Sequence, residues 1–497
     1  MLLQGSDAHG SEGSYIAPLI LCLGALLAVR VAALLAARVD LVLDEAQYWT
    51  WSRELALGYY SKPPMIAWLI RGATELCGSD EACVRSASPV LYTVTSLVLF
   101  ATARQLYDER IGFWSAIVFA TIPGVSYSSL LITTDVPLVL FWSIALYAWV
   151  MLVKRQQMGF AVLLGIATGL GLLSKQAMIY VVLCAACHAL LSREARDALR
   201  GGRGAIACLI ALALAAPMLI WNAEHDFVTF HHTATNIGWK FPFIHPLASL
   251  DYVVVQFGVF GPILAAVYLR TAWRAIRQPI GQDKILLLAF SLPVLALLLI
   301  QSLLSRAHGN WSAVAFPAAS ILVTAVMLGL GRELLFRISL GMNVAVAAFL
   351  AVAPAVAPQF PVFERIQFLS RVVGWRGVAD AVQAKLADGH EAALLVDTRE
   401  MAAELLYYLR DVPKPLYVWP SGPTPTNQYE MTRAFTKGAP EPVLFVSLRN
   451  CPSSVTASFA ESAELGTVTV PIVKDKARVL HFCRLSGYRG QSAIQSN

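Results

Sequence analysis

Charge is what this sequence has least of. Only 14% of its 497 residues are Asp, Glu, Lys or Arg, against 57% hydrophobic residues, and the mean hydropathy is +0.60. Soluble domains carry about 25% charged residues, so a soluble globular chain is excluded and a polytopic membrane protein is expected. Met1 to Ser14 hold neither Lys nor Arg and run directly into a span-length apolar segment, so no cleavable signal-peptide pattern is present. No internal repeat is evident, which speaks against the repeat-built transporters. The net charge of +6 does not point to a nucleic-acid partner, because the basic residues have a simpler explanation in membrane topology.

A transmembrane helix needs about 20 mostly apolar residues. That ruler finds eleven candidates, at about 15–37, 87–106, 111–129, 134–153, 159–173, 176–192, 204–220, 250–269, 285–303, 312–330 and 334–353. The fifth and sixth are short and adjacent. With a cytoplasmic N-terminus, one set of loops collects Arg104, Arg110, Lys154, Arg155, Arg193, Arg196, Arg200, Arg203, Arg270, Arg274, Arg277, Lys284, Arg332 and Arg337. Basic loops mark the cytoplasmic side. The opposite face receives Asp44 to Ile70, "SLLITTDVP", "SKQ", the loop containing Glu224, His225, Asp226, His231 and His232, and "SRAHGNW". That loop is an acceptor or metal region, or simply solvated.

Beyond residue 353 charge rises, and short strand-like runs ("AALLVD", "PLYVW", "PVLFVSL", "VTVPIV") alternate with the helical pattern of "REMAAELLYYLRD". The expected organisation is a transmembrane domain over 1–353 and a soluble α/β domain over 354–497, outside the cytoplasm. Cys77 with Cys83, and Cys451 with Cys483, fall where each pair can oxidise. "CAACH", Cys184 to His188, lies inside an apolar helix and reads as buried packing more readily than as a metal site.

The stretch "LVLDEAQYWTWSRELALGYYSKPPMIAWLI", Leu41 to Ile70, places charge at a membrane border, where it is costly to keep. Apolar and aromatic residues after Asp44 recur at helical spacing, as in an interfacial helix with Trp and Tyr at headgroup depth. "KPPMIAWLI" starts a second helix, since Pro favours a first turn and holds the preceding residue extended. Asp44 and Glu45 serve chemistry or cap the first helix. Lys62 faces a shared outer cavity or snorkels at the interface.

"DEAQYWTW", "GYYSKPPM", "TTDVPL", "LLSKQAMIY" and "GNWSAVAFPAASIL" together resemble the bacterial membrane glycosyltransferases of the GT-C fold, which are related to protein O-mannosyltransferases and include the lipid A aminoarabinose transferase and rhizobial galacturonosyltransferases. The resemblance covers the chain to about residue 353. It implies many transmembrane helices with interfacial helices in the first outer loop, and an active site on the periplasmic face of the bacterial inner membrane. The donor it implies is a sugar on a polyprenyl phosphate, transferred with inversion to a lipid, glycan or protein acceptor within the lipid bilayer.

Carried over residue by residue, the resemblance makes Asp44 and Asp135 the catalytic acids. Glu45, Tyr59 and Lys62 bind substrate, with Lys62 on the donor phosphate. Lys175, Arg306 and His308 sit at outer helix junctions as further phosphate or acceptor contacts, or as interface residues. Asp135 also reads as an N-cap, with Pro137 early in its helix. One position departs from the pattern: relatives often have a carboxylate immediately before the lysine, a metal ligand in the aminoarabinose enzyme, where this chain has Ser61. Serine is a poor divalent ligand, which puts metal dependence in doubt while leaving a divalent metal open. The competing class is a transporter or flippase of lipid-linked sugars, which would place its polar groups at the bilayer midplane.

Overall fold

The computed structural model describes residues 14–238, 241, 244–356, 373–473 and 476–490. All eleven apolar segments are helical, but they are not eleven straight spans. The chain begins with α1 (Ile16–Ala36), and a loop region carries α2 (Leu43–Arg53), α3 (Met65–Cys77) and α4 (Glu81–Arg85) before α5 (Ala87–Leu106). The third expected span is α6 (Glu109–Thr121) followed by α7 (Pro123–Ser128), broken where Ile122 turns extended ahead of Pro123. Arg30, 4% exposed on α1, donates to the Ala120 carbonyl next to this break. Next come α8 (Asp135–Arg155), α9 (Met158–Ser174), α10 (Tyr180–Leu191), α11 (Arg193–Leu199), α12 (Arg203–Glu224) and α13 (Val228–Ile237).

The segment expected to cross at 250–269 instead bends by 113° between α14 (Pro246–Phe260) and α15 (Pro262–Arg277). Gly261 at the bend has φ +94°, and a β-carbon there would stand 2.8 Å from Asn343 Oδ1. Only glycine suits that backbone, and Pro262 then starts the new helix. The remaining helices are α16 (Gln282–Ala289), α17 (Leu292–Leu304), α18 (Phe316–Gly329) and α19 (Glu333–Val356). Among the described residues, seven helical stretches are long and apolar enough to cross a membrane, or eight if the bent pair counts as one. The count of eleven is therefore not established.

α8 occupies the middle of the bundle, with Trp142 and Trp149 fully buried. Trp149 Nε1 donates to His188 Nδ1 at 3.1 Å, which accounts for the histidine of "CAACH" as an internal hydrogen-bond partner. At one end of the bundle, Arg110 pairs with Glu333 at 2.9 Å, Arg104 with Glu109 at 3.2 Å, and Arg203 reaches the Gln156 carbonyl. These are loops that the distribution of Lys and Arg puts on one side.

The C-terminal part forms a five-stranded sheet of order β2-β1-β3-β5-β4, from β1 (Ala393–Val396), β2 (Leu416–Val418), β3 (Val443–Ser447), β4 (Phe459–Val473) and β5 (Lys476–Tyr488). β2, β1 and β3 are parallel, while β5 is antiparallel to both β3 and β4. α20 (Trp375–Asp388) precedes β1 and α21 (Arg399–Tyr408) follows it. Both cysteine pairs are bonded, Cys77 to Cys83 and Cys451 to Cys483. The expected boundary at 353/354 falls inside α19, and residues 357–372 lie outside the described residues.

The sheet domain packs on the first loop. Tyr48, Trp49 and Trp51 of α2, only 3%, 6% and 3% exposed, share a core with α20, α21 and the strands. Trp49 meets Tyr407 edge-on at 5.0 Å, and Thr50 Oγ1 lies 2.8 Å from the Tyr429 hydroxyl. The expectation that these aromatics sit at headgroup depth is thus corrected: protein covers them. Such large rings give their strongest hydrophobic stabilisation when fully buried.

Candidate active site

α2 starts where Val42 turns extended, and its first turn carries Asp44 and Glu45, both favoured beside the positive end of a helix. The two neighbours separate completely in role. Glu45 is fully buried: it takes the Val42 N–H at 3.1 Å, the Ile132 N–H at 2.9 Å and the Arg85 guanidinium at 2.6–3.1 Å. It is the capping residue, and its oxygens are engaged inside the protein. Its bond to Ile132 ties α2 to the loop that leads into Asp135. Asp44, with its side chain 55% exposed, meets Arg399 Nη2 at 3.3 Å.

The loop "GYYSKPP" follows. A β-carbon at Gly58 would collide with the Trp221 ring at 2.4 Å, so this backbone lies directly against α12. Tyr59 stacks on Trp51 at 4.5 Å, 1% exposed, with its hydroxyl donating to the Trp51 carbonyl at 3.0 Å. Its ring, packed inside the protein, holds the loop. The neighbour Tyr60 meets His232 edge-on at 5.5 Å. Pro63 and Pro64 then hold Lys62 ahead of α3.

Lys62 is half-buried, and among the described residues its ammonium has no hydrogen-bond or ion-pair partner. Its pKa is lowered by burial first and then by Lys175, with Asp44 and Asp135 opposing and Arg399 adding to the effect. A cation in that state gains from an arriving anion.

Asp135 opens α8 but does not cap it. Oδ1 accepts from Lys175 Nζ at 2.7 Å and Oδ2 from Asn310 Nδ2 at 2.7 Å, and the Asp135 and Lys175 side chains are 7% and 12% exposed. The motifs "TTDVP", "SKQ" and "GNW" therefore meet in one buried, charge-assisted network. Asn310 lay in a quoted motif without a role attached to it. Beside it, the pKa of His308 is lowered by burial and by Arg306, Lys175 and Lys62 in that order. Burial, Lys62 and Arg399 do the same to His232, with Asp44 opposing. Tyr48, between the acids, has its pKa pushed far up by burial and then by Asp44. It stays a neutral hydroxyl.

Sequence reasoning missed Arg399. It stands at the start of α21, whose N-terminus Thr398 caps through the Met401 N–H at 3.2 Å. Within the loop 224–232, His232 approaches the site through Tyr60 at 5.5 Å, whereas His225 stacks on Trp221 at 4.1 Å. Among the described residues no three His, Cys, Asp or Glu side chains converge to hold an ion. Ser61, immediately before Lys62, is buried at 5% exposure.

One end of a helical bundle thus gathers two carboxylates among several cations, under a small α/β domain. Cations gathered in this way suit a phosphate-bearing substrate, and its relatives place the chain in the GT-C class of membrane glycosyltransferases. The crystal structure of ArnT from Cupriavidus metallidurans bound to undecaprenyl phosphate has the same fold, with TM-score 0.65 and 16% identity over 97% of this chain and 99% of that one. The dolichyl-phosphate-mannose-protein mannosyltransferase family matches residues 61–221. Lipid A galacturonosyltransferase RgtD of Rhizobium johnstonii is 34% identical over 419 residues, 84% of this chain and 88% of its own length. The undecaprenyl phosphate-alpha-4-amino-4-deoxy-L-arabinose arabinosyl transferase of Pseudomonas paraeruginosa is 30% identical over 207 residues, 40% of this chain and 35% of that protein. The chain belongs to the family of GT-C membrane glycosyltransferases that contains RgtD.

Proposed function

We propose that this multi-pass membrane enzyme transfers a uronic acid, galacturonic acid in the first instance, from a polyprenyl phosphate to lipid A or the lipopolysaccharide core. The observation that carries the chemistry is the convergence of Asp44, Lys62, Asp135 and Lys175 from separate loops at one end of the bundle. The identity of the sugar and acceptor rests on the relationship to RgtD. Transfer takes place on the periplasmic face, supported by the gathering of basic loops at the other end and by the two disulfides.

The reaction is a single inverting displacement. Asp44 takes the proton of the acceptor hydroxyl as that oxygen attacks the anomeric carbon. The bond from that carbon to the phosphate oxygen breaks, and its electron pair leaves with polyprenyl phosphate. The leaving group gains one negative charge, and Lys62, which has no other partner among the described residues, stabilises it beside Lys175. Asp135 and Asn310 hold Lys175 in place. No metal takes part in this account.

The test uses purified protein in lipid nanodiscs with polyprenyl-phosphate galacturonic acid and lipid A. Release of polyprenyl phosphate, together with a uronosyl mass increment on lipid A, supports the proposal. Movement of intact donor across the bilayer without bond cleavage contradicts it and favours a flippase.

A further inference from the structure

The site contains an ion pair that interferes with the chemistry assigned to it. Asp44, the base, is held by Arg399 at 3.3 Å. A guanidinium on a carboxylate oxygen occupies a lone pair that an acceptor hydroxyl would have to reach. Lys175 has a partner in Asp135 and Lys62 awaits the phosphate, so Arg399 is the cation whose present partner has other work to do.

Two features make that pair exchangeable. The side chains are 34% and 55% exposed and meet through one contact, the kind of pair that contributes little stability. Arg399 also lies within the influence of Lys62 and of His232, so the surroundings favour an added anion. The fold supports an exchange at this place. Arg399 follows the carboxyl end of β1, in the parallel part of the sheet, and such ends are where α/β domains present ligand-binding loops. Here they are turned onto the membrane site: Tyr60 N–H donates to Gln428 Oε1 at 2.7 Å in the segment after β2.

We infer that Arg399 reads the carboxylate of the donor sugar, and that its transfer from Asp44 to that carboxylate frees Asp44 to act as base. The inference rests on the uronic acid reading above. A planar guanidinium matches a carboxylate in a two-point contact, which the single contact to Asp44 does not provide. The exchange keeps Arg399 paired, since one carboxylate replaces another on it, and the negative charge that the donor adds enters beside Lys62 and Lys175. A neutral hexosyl donor offers no such group, leaves Arg399 on Asp44, and meets a carboxylate that is already occupied. The sheet domain thereby takes part in sugar selection.

The experiment compares two polyprenyl-phosphate donors that differ only at C6, a uronic acid and the matching neutral hexose, with wild type, Arg399→Gln and Arg399→Lys. Wild type should prefer the uronosyl donor by about 100-fold or more in kcat/KM, because only that donor frees the carboxylate that takes the acceptor's proton, and losing a general base costs about that much. Arg399→Gln should bring that ratio to within about 3-fold, and Arg399→Lys should retain part of it, because lysine keeps the charge and loses the fork. A purely structural role predicts equal losses on both donors, and that result overturns the inference. So does a ratio unchanged by Arg399→Gln, or one that changes only when the phosphates of the lipid A acceptor are removed, which would assign Arg399 to the acceptor. If wild type transfers neither sugar, the proposed function itself falls and takes this inference with it. If it transfers only the neutral hexose, the uronic acid assignment fails while the glycosyltransferase reading stands.

Discussion

Replacing Glu45 with Gln separates holding the site from touching the substrate. Both partners of the ion pair are inside the protein, with Arg85 2% and Glu45 0% exposed, and the carboxylate accepts from Arg85 Nε at 3.0 Å and Nη2 at 2.6 Å. It also serves two backbone N–H groups, of Val42 and Ile132. Glutamine keeps one acceptor oxygen but turns an amide N–H₂ towards donors, leaving Arg85 charged and uncompensated. Breaking a buried pair in this way costs about 3–5 kcal/mol. The expected outcome is a clear drop in the thermal midpoint of the detergent-solubilised protein and a loss of turnover, because Glu45 fixes both the helix of Asp44 and the approach to Asp135. Glu45→Gln combined with Arg85→Met should be less unstable than Glu45→Gln alone, since the stranded charge is gone. A Glu45→Gln protein with unaltered thermal midpoint but raised donor KM would refute this reasoning and return Glu45 to substrate binding.

Four further outcomes are expected. Lys62→Ala should weaken donor binding as well as turnover by about 10-fold or more, because the phosphate is charged in both ground and transition states; equilibrium binding of labelled donor and kcat/KM measure the two. The folded Lys62 titrates below the ordinary lysine value through burial and Lys175, so wild-type donor affinity should fall as pH rises through that lowered pKa, and Lys62→Arg should remove this alkaline limb while retaining binding; the same affinity profile in Lys62→Arg speaks against the assignment. Chelator treatment should leave most transfer activity intact, and complete loss restored by a divalent ion would show that Ser61 was misread. Single cysteines introduced in the sheet domain should react with a membrane-impermeant thiol reagent in intact spheroplasts, whereas reaction only after lysis reverses the topology.

What was legible in the sequence follows the range of the interactions. "TTDVP", "SKQ" and "GNW" announced their sites because each puts an unusual polar group at the end of an apolar run, and the structure joins them through Asp135. The strands "AALLVD", "PLYVW" and "PVLFVSL" were readable from β-branched and aromatic runs between turns, and β1, β2 and β3 lie there. The long β4–β5 hairpin was seen only in part, because "KARVLHFCRLSGY" mixes charge with its apolar positions. Arg399 could not be read: it is 355 positions from Asp44, and only the docking of the sheet domain brings them together. Tyr59 and Tyr60 are indistinguishable by type, and which one is buried depends on Trp51 stacking from the preceding helix. The bend at Gly261 was hidden because hydropathy does not register the direction of a helix axis.

Asp44→Asn tests the central claim most directly. Asparagine keeps the size of the side chain and a contact for Arg399 but cannot take the acceptor's proton, and loss of a general base lowers turnover by about 100-fold or more. In a folded, membrane-inserted variant, single-turnover transfer should fall by that amount while the Kd for the polyprenyl-phosphate donor stays within about 3-fold of wild type. Near-normal turnover would contradict the account and move the base to Asp135.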